Sequence, residues 1–287
     1  MIIAQISDCH IVADGRLLFG RVATNAMLER AIASINARAP AVDAIVATGD
    51  LVESGKPAEY ECLRAILTGA NAPVYLLPGN HDDRAALRAA FPDHGYLGTG
   101  GPVAYAIDRG AYSFVALDTT VPGAPHGAFD EDGAQRLTGL LDPRRRQTVL
   151  VFTHHPPFAT GIWWMDAIGV KGGRRFADVI RRYDNIERVA CGHIHRSIAR
   201  RWAGTVASVA PSTAHQLALD LADTAFLGLT LEPAGYDLHV VGRNRITTHT
   251  VAVGTPEIFS HVTPERLPGT RAEMERLKRE MAPEYAE

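Results

Sequence analysis

The sequence predicts an α/β fold, a four-layer αββα sandwich in which two mixed sheets face one another with helices outside. Three observations predict it. The first half opens with short apolar, β-rich runs alternating with amphipathic stretches in the order β-α-β-α-β-α, the pattern of a parallel sheet with helical crossovers. Residues 103–118 then read as a hairpin, which brings antiparallel pairing. From roughly residue 205 to 252 the chain reads mainly as short strands, so the second half has more strands than helices.

Taken in order, Met1 to Ile6 is a first strand, followed by Ser7-Asp8-Cys9-His10. Residues Asn25 to Arg38 carry apolar side chains at Ala26, Leu28, Ile32 and Ile35, the stripe of a helix lying on a sheet. The second strand, 43–48, ends in Gly49-Asp50. Pro57 opens a helix that runs to Leu67, because proline suits the first turn. Pro73 to Leu77 is a third strand, and Arg84 to Phe91 a short helix. Val103 to Asp108 and Tyr112 to Asp118 are strands joined by Arg109-Gly110-Ala111. Asp130 can cap a helix extending to Leu141.

Thr148 to Thr153 is a strongly apolar strand, and 158–172 reads as a loop holding Trp163 and Trp164. Gly173 to Tyr183 is a helix and Glu187 to Cys191 a strand. Further strands are expected at 205–209, 225–231, 236–241 and 245–251, and an amphipathic helix at Arg271 to Met281. The expected organisation is one domain over 1–255 and a helical tail over 256–287, packed on that domain or on a partner subunit.

Composition narrows the function classes. Hydrophobic residues make up 46% and charged residues 21%, ordinary for a soluble globular protein. The net charge of −3 provides no global field for nucleic acid or an anionic membrane. The run Arg144-Arg145-Arg146 reads as a solvated turn, too short to argue for DNA. No apolar run approaches the ~20 residues of a membrane span. Met1 to Ile6 enters a strand at once, so no signal peptide is expected. Three cysteines are too few for a disulfide framework and fit a reducing cytoplasm.

The chemistry lies at five junctions where an apolar strand gives way to a polar cluster: Asp8-Cys9-His10, Gly49-Asp50, Gly79-Asn80-His81-Asp82, His154-His155 and Gly192-His193-Ile194-His195. Open α/β sheets place their sites at the carboxyl ends of strands. Asp50 alone reads as a helix or turn cap, but the recurrence of such clusters favours a shared site. Together they supply oxygen and imidazole donors without thiolate, the set accepted by first-row divalent metals. Asp8/His10 and His193/His195 are spaced i, i+2, which in extended backbone puts both side chains on one face. Gly49, Gly79 and Gly192 precede donors where the backbone must turn tightly. Cys9 reads as a small core residue.

The series Asp-x-His, Gly-Asp, Gly-Asn-His-Asp, His, Gly-His-x-His over residues 8–195 resembles the binuclear metallophosphoesterase (calcineurin-like) superfamily. The stretch Gly49 to Tyr60, His154-His155-Pro156-Pro157, Cys191 to His195 and Pro211-Ser212-Thr213 are similar to the bacterial class III cyclic-nucleotide phosphodiesterases and glycerophosphodiesterases. The protein Ser/Thr phosphatases of the superfamily carry an arginine shortly after Gly-Asp and a glutamate after Asn-His. Here Glu53-Ser54-Gly55 and Asp82 stand instead, which disfavours that branch.

The resemblance implies two divalent ions, Mn, Fe, Zn or Co, with Asp8, His10 and His195 on one, Asn80, His154 and His193 on the other, and Asp50 bridging. It implies a metal-bridging hydroxide that attacks phosphorus, with His81 beside the site donating a hydrogen bond or proton. Two ions, two carboxylates and that hydroxide leave a core charge of about +1, suited to a phosphodiester monoanion. Asp82 either orients His81 or caps the helix that follows. His155 and His215 are candidates for a phosphate contact or a bond that orients a ligand. Trp163 and Trp164 either stack on a substrate base or wall off the pocket, or else anchor a loop or subunit contact. The expected activity is hydrolysis of small phosphodiesters, a cyclic nucleotide such as cyclic AMP or a glycerophosphodiester, by a cytoplasmic enzyme that can self-associate. A nuclease or broad-specificity phosphatase is the alternative enzyme, and an inactive phosphate-binding or scaffold protein the alternative class.

Overall fold

A computed structural model describes residues 1–222, 227–243, 245–254 and 271–281. Contacts divide the chain into Met1–Val253 and Gly254–Glu287. In the first unit the chain runs β1 (Ile2–Ile6), α1 (Thr24–Asn36), β2 (Ala44–Thr48), α2 (Pro57–Leu67), β3 (Val74–Leu77) and α3 (Arg84–Ala90). There follow β4 (Ala104–Arg109), β5 (Tyr112–Leu117), β6 (Gly127–Ala128), α4 (Glu131–Leu141), β7 (Thr148–Phe152), α5 (Trp163–Ala167), β8 (Val170–Lys171), α6 (Gly173–Ile180) and β9 (Ile186–Cys191). The unit closes with β10 (Ile198–Trp202), β11 (Thr205–Val209), β12 (Gln216–Leu217), β13 (Leu229–Thr230), β14 (Gly235–Gly242) and β15 (Arg245–Ala252). The described part of the second unit is α7 (Arg271–Met281).

One sheet has the order β15-β14-β1-β2-β3 and the other β10-β11-β9-β7-β5-β4. Both are mixed. The strands β1, β2 and β3 are parallel, with β14 antiparallel to β1. In the larger sheet β5, β7, β9 and β11 are parallel, with β4 and β10 as antiparallel edges. Parallel strands covered on both faces need continuous apolar sequence, which is why β2 and β7 are buried at every residue.

The two sheets share a core: Ile3, Ile45 and Leu76 pack in one cluster with Phe114, Leu150 and Phe152. Leu28, Ile32 and Ile35 of α1 and Tyr60 and Leu63 of α2 extend that cluster on the helical side. Behind the larger sheet, Leu137 and Leu141 of α4 meet Phe176 and Ile180 of α6. Polar ties run between the sheets as well. Gln5 donates to the Cys191 carbonyl (2.9 Å) and the Tyr105 hydroxyl to the Leu76 carbonyl (3.0 Å). These hold the carboxyl ends of β1, β3 and β9 in one region.

Three local expectations change. The stretch 158–172 contains α5 and β8 rather than only loop. The Asp166 carboxylate organises it, accepting from the Thr160 amide (2.6 Å) and hydroxyl (2.8 Å) and the Gly161 amide (2.9 Å), a local tie that leaves no periodic signal. Strand β10 is an edge strand of polar composition, and β12 is too short to alternate. The strand expected at 225–231 reduces to Leu229–Thr230 among the described residues, with 225 and 226 outside them.

Candidate metal centre

The expected strand ends converge, but not through extended backbone. Asp8, His10, Asp50, His193 and His195 have φ of 53°, 46°, 48°, 74° and 52°. They are five of the eight non-glycine residues at positive φ among the described residues, so left-handed backbone concentrates in one place. The i, i+2 face of a strand therefore does not explain the pairs Asp8/His10 and His193/His195. What holds them is a ladder between loops: the amides of Asp8, His10 and Ile11 donate to the carbonyls of Gly49 (3.0 Å), Asp50 (2.9 Å) and Leu51 (3.2 Å). The three glycines are required here. Gly49 has φ +94° and a Cβ on it would also strike the His154 ring, whereas Gly79 and Gly192 are needed for space alone: a Cβ on Gly79 would strike the Asp50 amide and carboxylate, and one on Gly192 the Ser7 hydroxyl.

Asp50 stands between two groups of donors and is 2% exposed. Its Oδ2 lies 3.8 Å from His10 Nε2 and its Oδ1 3.3 Å from His154 Nε2. On one side, donor atoms of Asp8, His10, Asp50 and His195 all lie within 4.8 Å of one another. His195 Nε2 is 3.4 Å from Asp8 Oδ1 and 3.1 Å from His10 Nε2. On the other, His154 Nε2 lies 3.1 Å from Asn80 Oδ1, and His193 presents a buried Nε2 with no hydrogen-bond partner.

The outer nitrogens determine what the inner ones offer. His10 Nδ1 donates to the Glu53 carboxylate (2.8 Å), His154 Nδ1 to the Thr48 carbonyl (2.8 Å) and His195 Nδ1 to the His215 carbonyl (2.9 Å). With those protons committed, each Nε2 directs a lone pair inward. Lone pair then faces lone pair between His10 and His195, and faces carboxylate between His154 and Asp50. A cation between them, proton or metal, resolves both contacts.

The electrostatics agree. Burial pushes the carboxyl of Asp8 up, but His195 outweighs it and holds the group at about 2. Asp50 is also held well below its ordinary value, chiefly by His154 acting against burial. Burial lowers His154, yet Asp50 beside it lifts the imidazole to about 9. Burial, with His154 adding to it, drives His193 down to about 3, which leaves a neutral nitrogen donor.

Other expected residues fall differently. His81 is half-exposed beside the centre, its ring 4.7 Å from that of His10. Its amide donates to Asp50 Oδ1 (2.9 Å) and its Nδ1 to the Glu53 carbonyl (2.7 Å), so Nε2 is the nitrogen available to a ligand. Asp82 neither orients His81 nor caps α3. Its carboxylate accepts from the amides of Gly79 (2.8 Å), Leu51 (3.0 Å) and Val52 (3.4 Å) and from the Tyr60 hydroxyl (2.9 Å), tying two donor loops together. Burial and the nearby Asp50 push it up to about 7. The cap is Asp83, which accepts from the Ala86 amide (2.7 Å).

His155 is buried with both nitrogens engaged. Pro125's carbonyl takes the Nε2 proton (3.2 Å), so Nδ1 accepts from the Thr119 hydroxyl (2.9 Å) and no nitrogen remains for phosphate. His215 contributes its carbonyl to His195, and its ring packs 4.6 Å from that of His195 at the edge of the cavity. Trp163 and Trp164 are 49% and 39% exposed on α5, while Met165 and Ile168 of the same segment line the cavity. Successive helical residues point in different directions, so neighbours in sequence part company here. Cys9 is buried, and burial pushes its thiol up to about 12, in keeping with a core residue. Sequence reading missed Glu53, because its partner His10 is remote in the chain. The cavity above the donors holds about 300 Å³, with His10, Asp50, Asn80, His81, His193 and His195 at its base.

The family model for calcineurin-like phosphoesterases matches residues 1–197. The chain belongs to this family. A probable glycerophosphodiester phosphodiesterase GpdQ of Arcobacter nitrofigilis is 32% identical over 88% of this chain and 94% of its own length. A 3',5'-cyclic adenosine monophosphate phosphodiesterase CpdA of Pseudomonas aeruginosa is 30% identical over 76% of this chain and 78% of its own. Among solved structures, a dimetal phosphatase from Danio rerio superposes with a TM-score of 0.60 at 15% identity, over 88% of this chain and 99% of that one. The purple acid phosphatase PPD1 of yellow lupin gives 0.63 at 11% identity, over 90% of this chain and 52% of that one. These structural likenesses show the shared fold. The family uses a binuclear metal site, and the residues present here fit one, as the unpartnered His193 nitrogen and the opposed lone pairs around Asp50 show.

Proposed function

We propose that this calcineurin-like phosphoesterase hydrolyses small phosphodiesters, a glycerophosphodiester or a cyclic nucleotide, at a binuclear metal centre. Asp8, His10 and His195 would hold one ion, Asn80, His154 and His193 the other, and Asp50 would serve both. The observation that carries this reading is the position of Asp50, one carboxylate oxygen toward His10 and the other toward His154. Mn, Fe, Zn and Co all suit the oxygen and imidazole set. When bound, the two ions supply Lewis acidity for the phosphoryl oxygens and a nucleophile from water at neutral pH.

The protein's own groups do the rest. Glu53, Thr48 and the His215 carbonyl hold His10, His154 and His195 with Nε2 inward. Gly79 keeps a tight approach to Asp50, and Asp82 fastens the 50–52 loop to the Gly79 loop. His81, with Nε2 available, donates to the departing alcohol oxygen. The catalytic unit is residues 1–255, with 256–287 as a tail. The chain's unpaired cysteines fit the cytoplasm, and self-association is compatible with this reading.

The test is hydrolysis of bis-p-nitrophenyl phosphate by chelator-treated protein. Turnover is expected only after Mn²⁺ is restored, and its absence with every divalent ion offered would sink the proposal. Glu53→Gln weakens the charge-assisted bond that orients His10. A 10- to 100-fold loss of metal affinity, of the order seen for such outer partners, is expected in a metal titration of the folded variant. Affinity equal to the parent protein's would remove Glu53 from this role.

A further inference from the structure

Around the donors the walls are not alike. Beyond the donors, the cavity is lined mainly by apolar side chains: Phe19, Met165, Ile168, Leu217, Leu227 and Leu229. A second cavity of about 390 Å³ shares Phe19, His215 and Leu229 with it and continues along Val22 and Leu231. A third, of about 590 Å³, adjoins the centre at Asn80 and is the most polar of the three, with Asp82, Asp83, Arg84, Arg88, Thr99 and Thr120 in its lining. Phe19 is 60% exposed, Leu227 41%, Leu229 49% and Leu231 58%. A contiguous exposed apolar surface of this kind marks a place where something apolar binds.

A phosphodiester has two ester arms. With phosphorus at the donors around Asp50, the cavities that adjoin them are the space open to the arms, and the one that contains the donors is walled mainly by apolar side chains. We infer that one arm of the diester this protein selects is an apolar chain or ring, held against Phe19, Leu227 and Leu229. The inference rests on the phosphodiesterase reading and narrows its substrate class to acyclic diesters, since both ester oxygens of a cyclic nucleotide belong to one ribose. A glycerol or choline arm would leave these side chains wet, whereas an alkyl, acyl or aryl arm removes them from water together with its own surface. The continuity of the apolar walls with the floor of donors makes a substrate arm the occupant, rather than a remote partner.

A series of p-nitrophenyl alkyl phosphates from methyl to hexyl tests this on the Mn²⁺-loaded protein, because the leaving group is constant and only the other arm grows. The kcat/KM is expected to rise about three- to fourfold per methylene over the first carbons, the factor for burying one CH₂. In Phe19→Ala and Leu229→Ser, both at exposed positions, the hexyl-to-methyl ratio is expected to drop at least tenfold. Calorimetry with hexyl and methyl methylphosphonate, monoanionic mimics of the diesters, should show the same preference without turnover.

A series flat in chain length would overturn the inference, as would a slope unchanged in both variants. Sedimentation distinguishes the remaining occupant. A dimer that Leu229→Ser dissociates, with a flat series, would assign these leucines to a second copy of the chain and overturn the substrate assignment. Failure of every member, methyl included, with any metal would instead sink the phosphodiesterase reading and the inference with it.

Discussion

Asp50→Asn is expected to lower kcat/KM by roughly 10³-fold or more, and to reduce bound metal at both positions rather than one. An outer partner of a metal ligand contributes 10- to 100-fold, and a carboxylate shared by two ions must exceed that. The geometry supports a joint loss because the two carboxylate oxygens face different imidazoles, His10 at 3.8 Å and His154 at 3.3 Å. Asparagine is the informative replacement. It tolerates the left-handed backbone at φ 48°, and its amide oxygen can still accept from the His81 amide. Folding is therefore preserved while the negative charge is removed. Elemental analysis per chain, alongside turnover, reads the result. A variant that keeps two tightly held metals and normal turnover would undo the assignment of Asp50 to both.

His81→Ala is expected to cut turnover of a diester with an alkyl leaving group by about 10²- to 10⁴-fold, the range for general acid catalysis, while both metals stay bound. The loss should be far smaller when p-nitrophenol departs, because a stable phenolate needs no proton. That difference separates proton donation from a structural role, which would lower both substrates alike. The imidazole's position suits the task. It is half-exposed at the cavity, and its Nδ1 is committed to Glu53 while burial is opposed by Asp50 and Glu53, which raise its pKa above the ordinary value. Loss of a metal in His81→Ala, or equal losses with both leaving groups, would remove it from the acid role.

Much of the site is legible in the sequence because parallel strands leave a plain record. Buried on both faces, β2 and β7 read as apolar runs, so Asp50 and His154 stand out where those runs stop. Helix α2 is legible from Pro57 to Leu67 because proline and the apolar stripe are local signals. What lies between ligands is less so. Glu53 looks like any loop carboxylate until His10 is folded against it, and Asp82 looks like a cap until the amides of residues 51, 52 and 79 surround it. His155 follows His154 directly, yet its ring turns to Thr119 and Pro125. Trp163 and Trp164 belong to the segment that lines the cavity, and its inward face belongs to Met165 and Ile168.

By itself the sequence determined the α/β class, the strand ends that carry chemistry and the donor types present at each, since all three follow from periodicity and residue chemistry along a short stretch of chain. The tertiary structure alone decided which nitrogen of each histidine faces inward, which carboxylate serves which partner, and that the donor loops wind left-handed rather than run extended. Those outcomes depend on hydrogen bonds between residues far apart in the chain, such as His195 to the His215 carbonyl and Asp8 to the Gly49 carbonyl. No local pattern encodes a partner that only folding brings within reach.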